Sequence, residues 1–205
     1  MNTKEIRLMD NTISYKGYTI EIVPDNNPMD PRKEWDNLGT MICVHKRYYL
    51  GDKHSYNHKD YSSWDEFIAA VEKAEGPIVW LPLYLYDHSG ITINTTGFSG
   101  QDSARWDWGQ LGFIYATKAK LRKEYGKVLS KKRLEKILDY LRSEVETYDD
   151  YLTGSVYGYV VKDAKGEETD SCWGYFGSDH EKSGLMEGAK NAIDCLVKKP
   201  VAVEA

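Results

Sequence analysis

Ile78-Val79-Trp80-Leu81-Pro82-Leu83-Tyr84-Leu85-Tyr86-Asp87-His88-Ser89-Gly90-Ile91-Thr92-Ile93-Asn94-Thr95 is the stretch whose reading decides the fold. Ile78 to Tyr86 is the longest apolar run and has the length of a strand. Ile91 to Thr95 is short and β-branched, a composition that suits a pleated surface. Asp87-His88-Ser89-Gly90 between them is made of turn residues. Two strands joined by so short a turn pair antiparallel, so this segment reads as a hairpin.

Other strands extend the pattern on both sides. Leu111 to Ala116 reads as a strand after a loop over Gly97 to Gln110. Leu38 to His45 reads as another, with Met41, Cys43 and His45 on one face and Ile42 and Val44 on the other. Thr12 to Tyr15 and Tyr18 to Val23 flank Lys16-Gly17 as an N-terminal hairpin. Ser155 to Val161 and Cys172 to Phe176 form a second hairpin across Asp163 to Glu168. Pro24 to Lys33, with its three prolines, reads as a loop. Lys46 to Tyr61 has no hydrophobic period and reads as a long exposed loop, the kind that often carries function.

Helices lie between these pairs. Ser63-Trp64-Asp65-Glu66 has the capping-box pattern, and Trp64, Phe67, Ile68 and Val71 then follow helical spacing. Thr117 to Tyr125 is a short helix. Ser130 to Tyr151 is the longest, with Leu134, Ile137, Leu138, Leu141, Val145 and Tyr148 on one stripe. Its charges run against the helix dipole, basic at Lys131 to Arg133 and acidic at Glu144, Glu146, Asp149 and Asp150. Such an inversion either serves a partner or has no consequence. Leu185, Ala189, Ile193 and Leu196 mark a final helix. The expected architecture is therefore α+β: an antiparallel sheet built from hairpins, packed against three to four helices in a single compact domain. That domain spans residues 10–199, with loose termini at 1–9 and 200–205.

The bulk numbers exclude several classes. The chain has 205 residues, 41% of them hydrophobic, and a formal net charge of −5. It contains no apolar run long enough to span a bilayer, and its first ten residues lack a signal-peptide core. Cys43, Cys172 and Cys195 are too few and scattered for a disulfide framework, which fits a reducing cytoplasm. The mild acidity argues against direct nucleic-acid binding. With no phosphate loop, dinucleotide fingerprint or nucleophile elbow, no cofactor is expected. The aromatic balance stands out: 16 Tyr and 6 Trp against 4 Phe. Tyr and Trp combine apolar area with a polar handle and are enriched at binding surfaces.

Three segments could carry chemistry. The turn Asp87-His88-Ser89 sets a carboxylate, an imidazole and a hydroxyl together, the residue types of acid–base and nucleophilic work. Asp, Ser and Gly are also ordinary turn residues. Arg105 to Gln110 places Trp106 and Trp108 around Asp107, with Gln110 close by. This suits a planar ligand or a partner's hot spot, and equally two indoles capping a core edge. If extended, that segment puts both indoles on one face. Trp35 and Asp36, and Arg47 and Tyr48, lie at opposite ends of the Leu38 to His45 strand, so they form one site only if the loops fold back. A weaker possibility is a metal held by His45, Asp52, His54 and His58 with Asp60, although the spacing matches no strong template.

The segments Trp35-Asp36-Asn37-Leu38-Gly39-Thr40-Met41, Tyr86-Asp87-His88-Ser89-Gly90-Ile91-Thr92, Trp106 to Tyr115 and Asp170-Ser171-Cys172-Trp173-Gly174 together resemble an uncharacterised protein family of bacteriophages and mobile elements. The resemblance implies a genomic setting, not a mechanism. By analogy with accessory proteins of that setting, the expected role is a non-catalytic inhibitor of a host antiviral defence component: CRISPR, restriction or nucleotide signalling. Its partner would be a defence protein complex or its nucleotide signal, met in the host bacterial cytoplasm. The alternative is a small metal-assisted hydrolase or nuclease using Asp87 and His88. A phage structural or assembly protein is a third reading, disfavoured by the lack of repeats and coiled coil.

Overall fold

The computed structural model describes residues 6–9 and 12–198. In chain order the elements are β1 (Ile6–Met9), β2 (Thr12–Tyr15), β3 (Tyr18–Pro24), α1 (Pro31–Glu34), β4 (Thr40–Cys43), α2 (Trp64–Glu75), β5 (Ile78–Asp87), β6 (Ile91–Asn94), β7 (Trp108–Thr117), α3 (Lys118–Tyr125), α4 (Lys131–Thr153), β8 (Val156–Lys162), β9 (Glu168–Phe176) and α5 (Leu185–Lys198). The fold is α+β, and the strand pairs are antiparallel. The strands form two sheets rather than one, in orders β1-β2-β3-β8-β9 and β4-β7-β5-β6. The chain divides correspondingly into two compact units, residues 1–29 with 154–205, and residues 30–153. Of the termini expected to be loose, Ile6–Met9 pairs with β2 as a strand, while residues 1–5 and 200–205 lie outside the described residues.

In the unit made from both chain ends, β2 and β3 turn at Lys16 and Gly17, with φ of 49° and 84°. Two left-handed residues in succession match the twist of the flanking strands, which is why Gly suits the second position. β3 pairs with β8, and β8 with β9. The α5 residues Leu185, Met186, Ala189 and Ile193 are buried with Ile20, Ile22, Tyr159 and Val161.

The unit of residues 30–153 is built around the hairpin β5–β6, with β7 alongside β5 and β4 beyond it. Met41 and Cys43 share a core with Leu83, Leu85, Ile93 and the α4 residues Ile137, Leu141, Val145 and Tyr148. Ile42 joins the core made with Phe67, Ile68 and Val71 of α2. The expected alternation of β4 therefore holds, and the sheet has α4 on one face and α2 on the other. Leu83 pairs with Gly112 but Tyr84 pairs with Gln110, so Leu111 is an extra residue in β7. This bulge shifts the alternation. Leu111 and Ile114 consequently face α4, while Phe113 and Tyr115 face α2.

The α2 cap is as expected on one side only. Ser63 Oγ accepts from the Glu66 N–H at 3.2 Å, but the Glu66 carboxylate turns to the N–H of Ser62, at 2.7 Å. Three of the inverted charges of α4 have internal partners. Arg133 donates to the carbonyl of Tyr125, just beyond which α3 ends. Glu144 accepts from the Leu38 N–H at 2.7 Å, and Asp149 from the Ile93 N–H at 2.7 Å. These carboxylates bind the loop before β4 and the edge strand β6 to α4, a larger gain than the dipole mismatch costs.

Candidate functional site

Several side chains proposed from sequence meet at one end of the β4-β7-β5-β6 sheet. A cavity of about 310 Å³ is lined by residues that include His45, Arg47, Asp87, Trp106, Asp107 and Gln110. The hairpin β5–β6 supplies Asp87 as its last β5 residue. The chain reverses through His88, Ser89 and Gly90, where Ser89 takes φ of 57° and the His88 N–H donates to the Gly90 carbonyl at 3.0 Å. Ser89 is exposed and does not line the cavity.

The side chains of Asp87 and His88 do not pair with each other. Asp87 is taken by the loop after β4: Arg47 Nη2 makes an ion pair with its Oδ2, and the Tyr48 hydroxyl donates to its Oδ1 at 3.2 Å. His88 instead turns to Asp107, with Nδ1 3.0 Å from Oδ2. Asp87 and Asp107 are joined through the main chain, the Asp87 N–H donating to the Asp107 carbonyl at 2.8 Å. The loop carrying Arg47 and Tyr48 thus folds back onto the hairpin end, whereas Trp35 and Asp36 stand elsewhere. Trp35 caps the C-terminus of α1, and neither residue lines the cavity.

The two tryptophans part company. Trp108 lies on β7, not in the loop, and is 9% exposed. Its Nε1 donates to the Asp102 carbonyl at 2.6 Å, and it packs edge-on against Tyr84 and Phe98. A Cβ at Gly97 would sit 2.8 Å from its ring, so glycine is needed for that approach. Trp108 is a core residue. Trp106 is 86% exposed. The division follows from the loop, which is not extended: Arg105 takes φ of 58°, and a left-handed residue breaks the two-residue alternation.

That loop is held by one side chain. The Asp102 carboxylate accepts from the N–H groups of Ala104, Trp106 and Asp107, at 3.0, 2.6 and 3.0 Å. Those backbone hydrogen bonds hold its pKa below the usual carboxylate range, against a smaller opposing effect of burial. The Arg105 guanidinium lies over the Trp108 ring, 4.8 Å from its centroid. Trp106 is therefore presented on an ordered backbone. His45, which also lines the cavity, stacks on Tyr48, with centroids 5.0 Å apart and planes 8° from parallel. Burial, with the neighbouring Arg47 and Lys46, keeps the His45 pKa below its ordinary value despite the raising effect of Asp87.

The weak metal set is not assembled. Among the described residues, no three His, Cys, Asp or Glu side chains form a group able to hold an ion. Asp52, offered as a ligand from sequence, is committed to a buried cation. Arg32 Nε and Nη2 reach its two carboxylate oxygens at 3.0 and 2.5 Å. Arg32 Nη1 also reaches Glu144 at 2.9 Å, and Nη2 donates to the Gly39 carbonyl at 2.8 Å. The Arg32 side chain is 1% exposed. It is placed by α1, where Asp30 caps a single helical turn by accepting from the Arg32 N–H at 2.9 Å. The loop expected over Pro24 to Lys33 therefore runs into a helical turn, and no local spacing marks Arg32 and Glu144 as partners. A Pro after an Asp was the only cue to the cap. The network ties α1, β4 and α4 together and is structural.

No helix among the described residues is long and apolar enough to cross a membrane. Comparison with family models, curated proteins and solved structures gave no match.

Proposed function

We propose that this protein is a non-catalytic binding protein whose Trp106 surface docks on another protein, in the setting of a phage or mobile-element inhibitor of host antiviral defence. The supporting observation is Trp106 itself: a large indole, 86% exposed, on a loop fixed by the Asp102 carboxylate. Around it stand Arg47, Asp87 and Asp107. Trp, Tyr and Arg dominate the energetics of protein interfaces, and charges at the rim set orientation. The defence-related setting rests on the sequence resemblance alone. The experiment is to mix the purified protein with candidate CRISPR, restriction and signalling effectors and measure inhibition and complex formation. Trp106→Ala and Arg47→Glu should each abolish both. Inhibition that survives both substitutions, or no inhibition of any effector, overturns the reading.

A second reading has one specific observation in its favour. The Asp107 carboxylate orients His88 through Nδ1, leaving Nε2 available as a general base. This is half of a hydrolytic dyad, and among the described residues no assembled metal group accompanies it. Loss of a measured hydrolase or nuclease activity on His88→Ala, with binding retained, would move the assignment to catalysis.

A further inference from the structure

A second groove of about 1360 Å³ lies along the loop after β4, in the same unit, and shares His45 with the first cavity. We infer that this groove binds a phosphorylated nucleoside, through its lysines at the phosphates and its exposed tyrosine at the base. The inference does not rest on the Trp106 surface.

Charge is the first support. The protein carries a formal net charge of −5, yet this groove is lined by Arg32, Lys33, Lys46, Lys53 and Lys59 against one carboxylate, Asp52. Asp52 is neutralised by the bidentate Arg32, and Lys33 is paired with Asp30 at 2.8 Å. Among the described residues Lys46, Lys53 and Lys59 have no carboxylate partner. Three exposed ammonium groups around one concavity raise the local concentration of anions. A lysine is a suitable point charge for phosphate oxygens.

The second support is aromatic and polar. Tyr49 lines the groove and is 106% exposed, so its ring has given up its contacts within the protein. An exposed aromatic face beside lysines is a stacking platform for a base. Asn57 and His58 add polar side chains to the lining. The groove also exceeds the needs of a lone phosphate.

The test is calorimetric titration of the full chain with ADP, GDP, pyrophosphate and adenosine. ADP or GDP should bind saturably, more tightly than pyrophosphate or adenosine. Lys53→Glu with Lys59→Glu should weaken nucleotide binding by about tenfold or more. Tyr49→Ala should weaken nucleotide but not pyrophosphate. Circular dichroism checks that these surface variants fold, and Trp106→Ala should bind nucleotide as the wild type does, which separates this test from that of the docking surface. No saturable binding of either nucleotide at about 1 mM, equal affinity for pyrophosphate, or binding unchanged in the lysine variant would overturn the assignment.

Discussion

The imidazole of His88 is held by Asp107, with Nδ1 3.0 Å from Oδ2, and not by its sequence neighbour Asp87. The carboxylate that orients the histidine thus comes from the loop entering β7. Asp87 does a different task, anchoring Arg47 and Tyr48. Both partners of the His88–Asp107 pair are well exposed, at 62% and 40% of their side chains. Asp107→Asn should therefore change unfolding free energy by less than about 1 kcal/mol, as exposed pairs do. Its effect should appear in binding. Urea unfolding beside a binding assay checks this, and a large stability loss would show that the pair holds the turn together.

The two indoles make a sharper comparison. Trp108→Ala removes a core ring and its hydrogen bond to Asp102 and should cost about 3–5 kcal/mol. Trp106→Ala removes an exposed ring and should change stability by no more than about 0.5 kcal/mol, while abolishing partner binding. Thermal melts and a pull-down on both variants separate a folding residue from a contact residue. Equal destabilisation by the two would contradict the division.

The separation of these indoles also marks where sequence reading stops. Local periodicity made the β5–β6 hairpin, α2 and α4 legible, because hydrophobic spacing is set by the element itself. It also placed Met41 and Cys43 on one face. The bulge at Leu111 and the left-handed Arg105 break that periodicity through one residue each, and neither leaves a mark in composition. The Arg32 network is invisible for another reason: its partners lie 20 and 112 residues away. The second sheet was illegible because β3 and β8, which join it, are separated by the whole of the other unit. At the site, the residue types in the Asp87 turn and the Trp-Asp-Trp segment were readable, and their pairing was not.

Arg32 should be the most sensitive charged residue of its unit. Arg32→Ala leaves Asp52 and Glu144 facing one another without their shared cation, and such a loss costs about 3–5 kcal/mol. Arg32→Lys keeps a charge but cannot make the fork to Asp52 or reach Gly39 as well, so a loss of about 1–3 kcal/mol is expected. Chemical denaturation of both variants tests the ranking. An Arg32→Lys variant as stable as the wild type would show that charge alone suffices.

Asp149 gives a pH dependence of opposite sign to the usual carboxylate. Burial raises its pKa above the ordinary 3.8, and the hydrogen bonds from Ile93 and Thr92 oppose this without cancelling it. Between 3.8 and that raised value the folded chain holds a proton that the unfolded chain has released. The contribution of Asp149 to stability therefore falls as pH rises through this window. Both hydrogen bonds end on Oδ1, from the Thr92 hydroxyl at 2.8 Å and the Ile93 N–H at 2.7 Å. Asp149→Asn retains an oxygen there and removes the charge. The variant should be at least as stable as the wild type near about pH 7, and its advantage should shrink as pH falls toward about 4 and the wild-type carboxyl becomes neutral. Urea unfolding of both proteins across this range is the measurement. A variant less stable at neutral pH, with its deficit closing in acid, would mean that the charged form is the one the fold prefers.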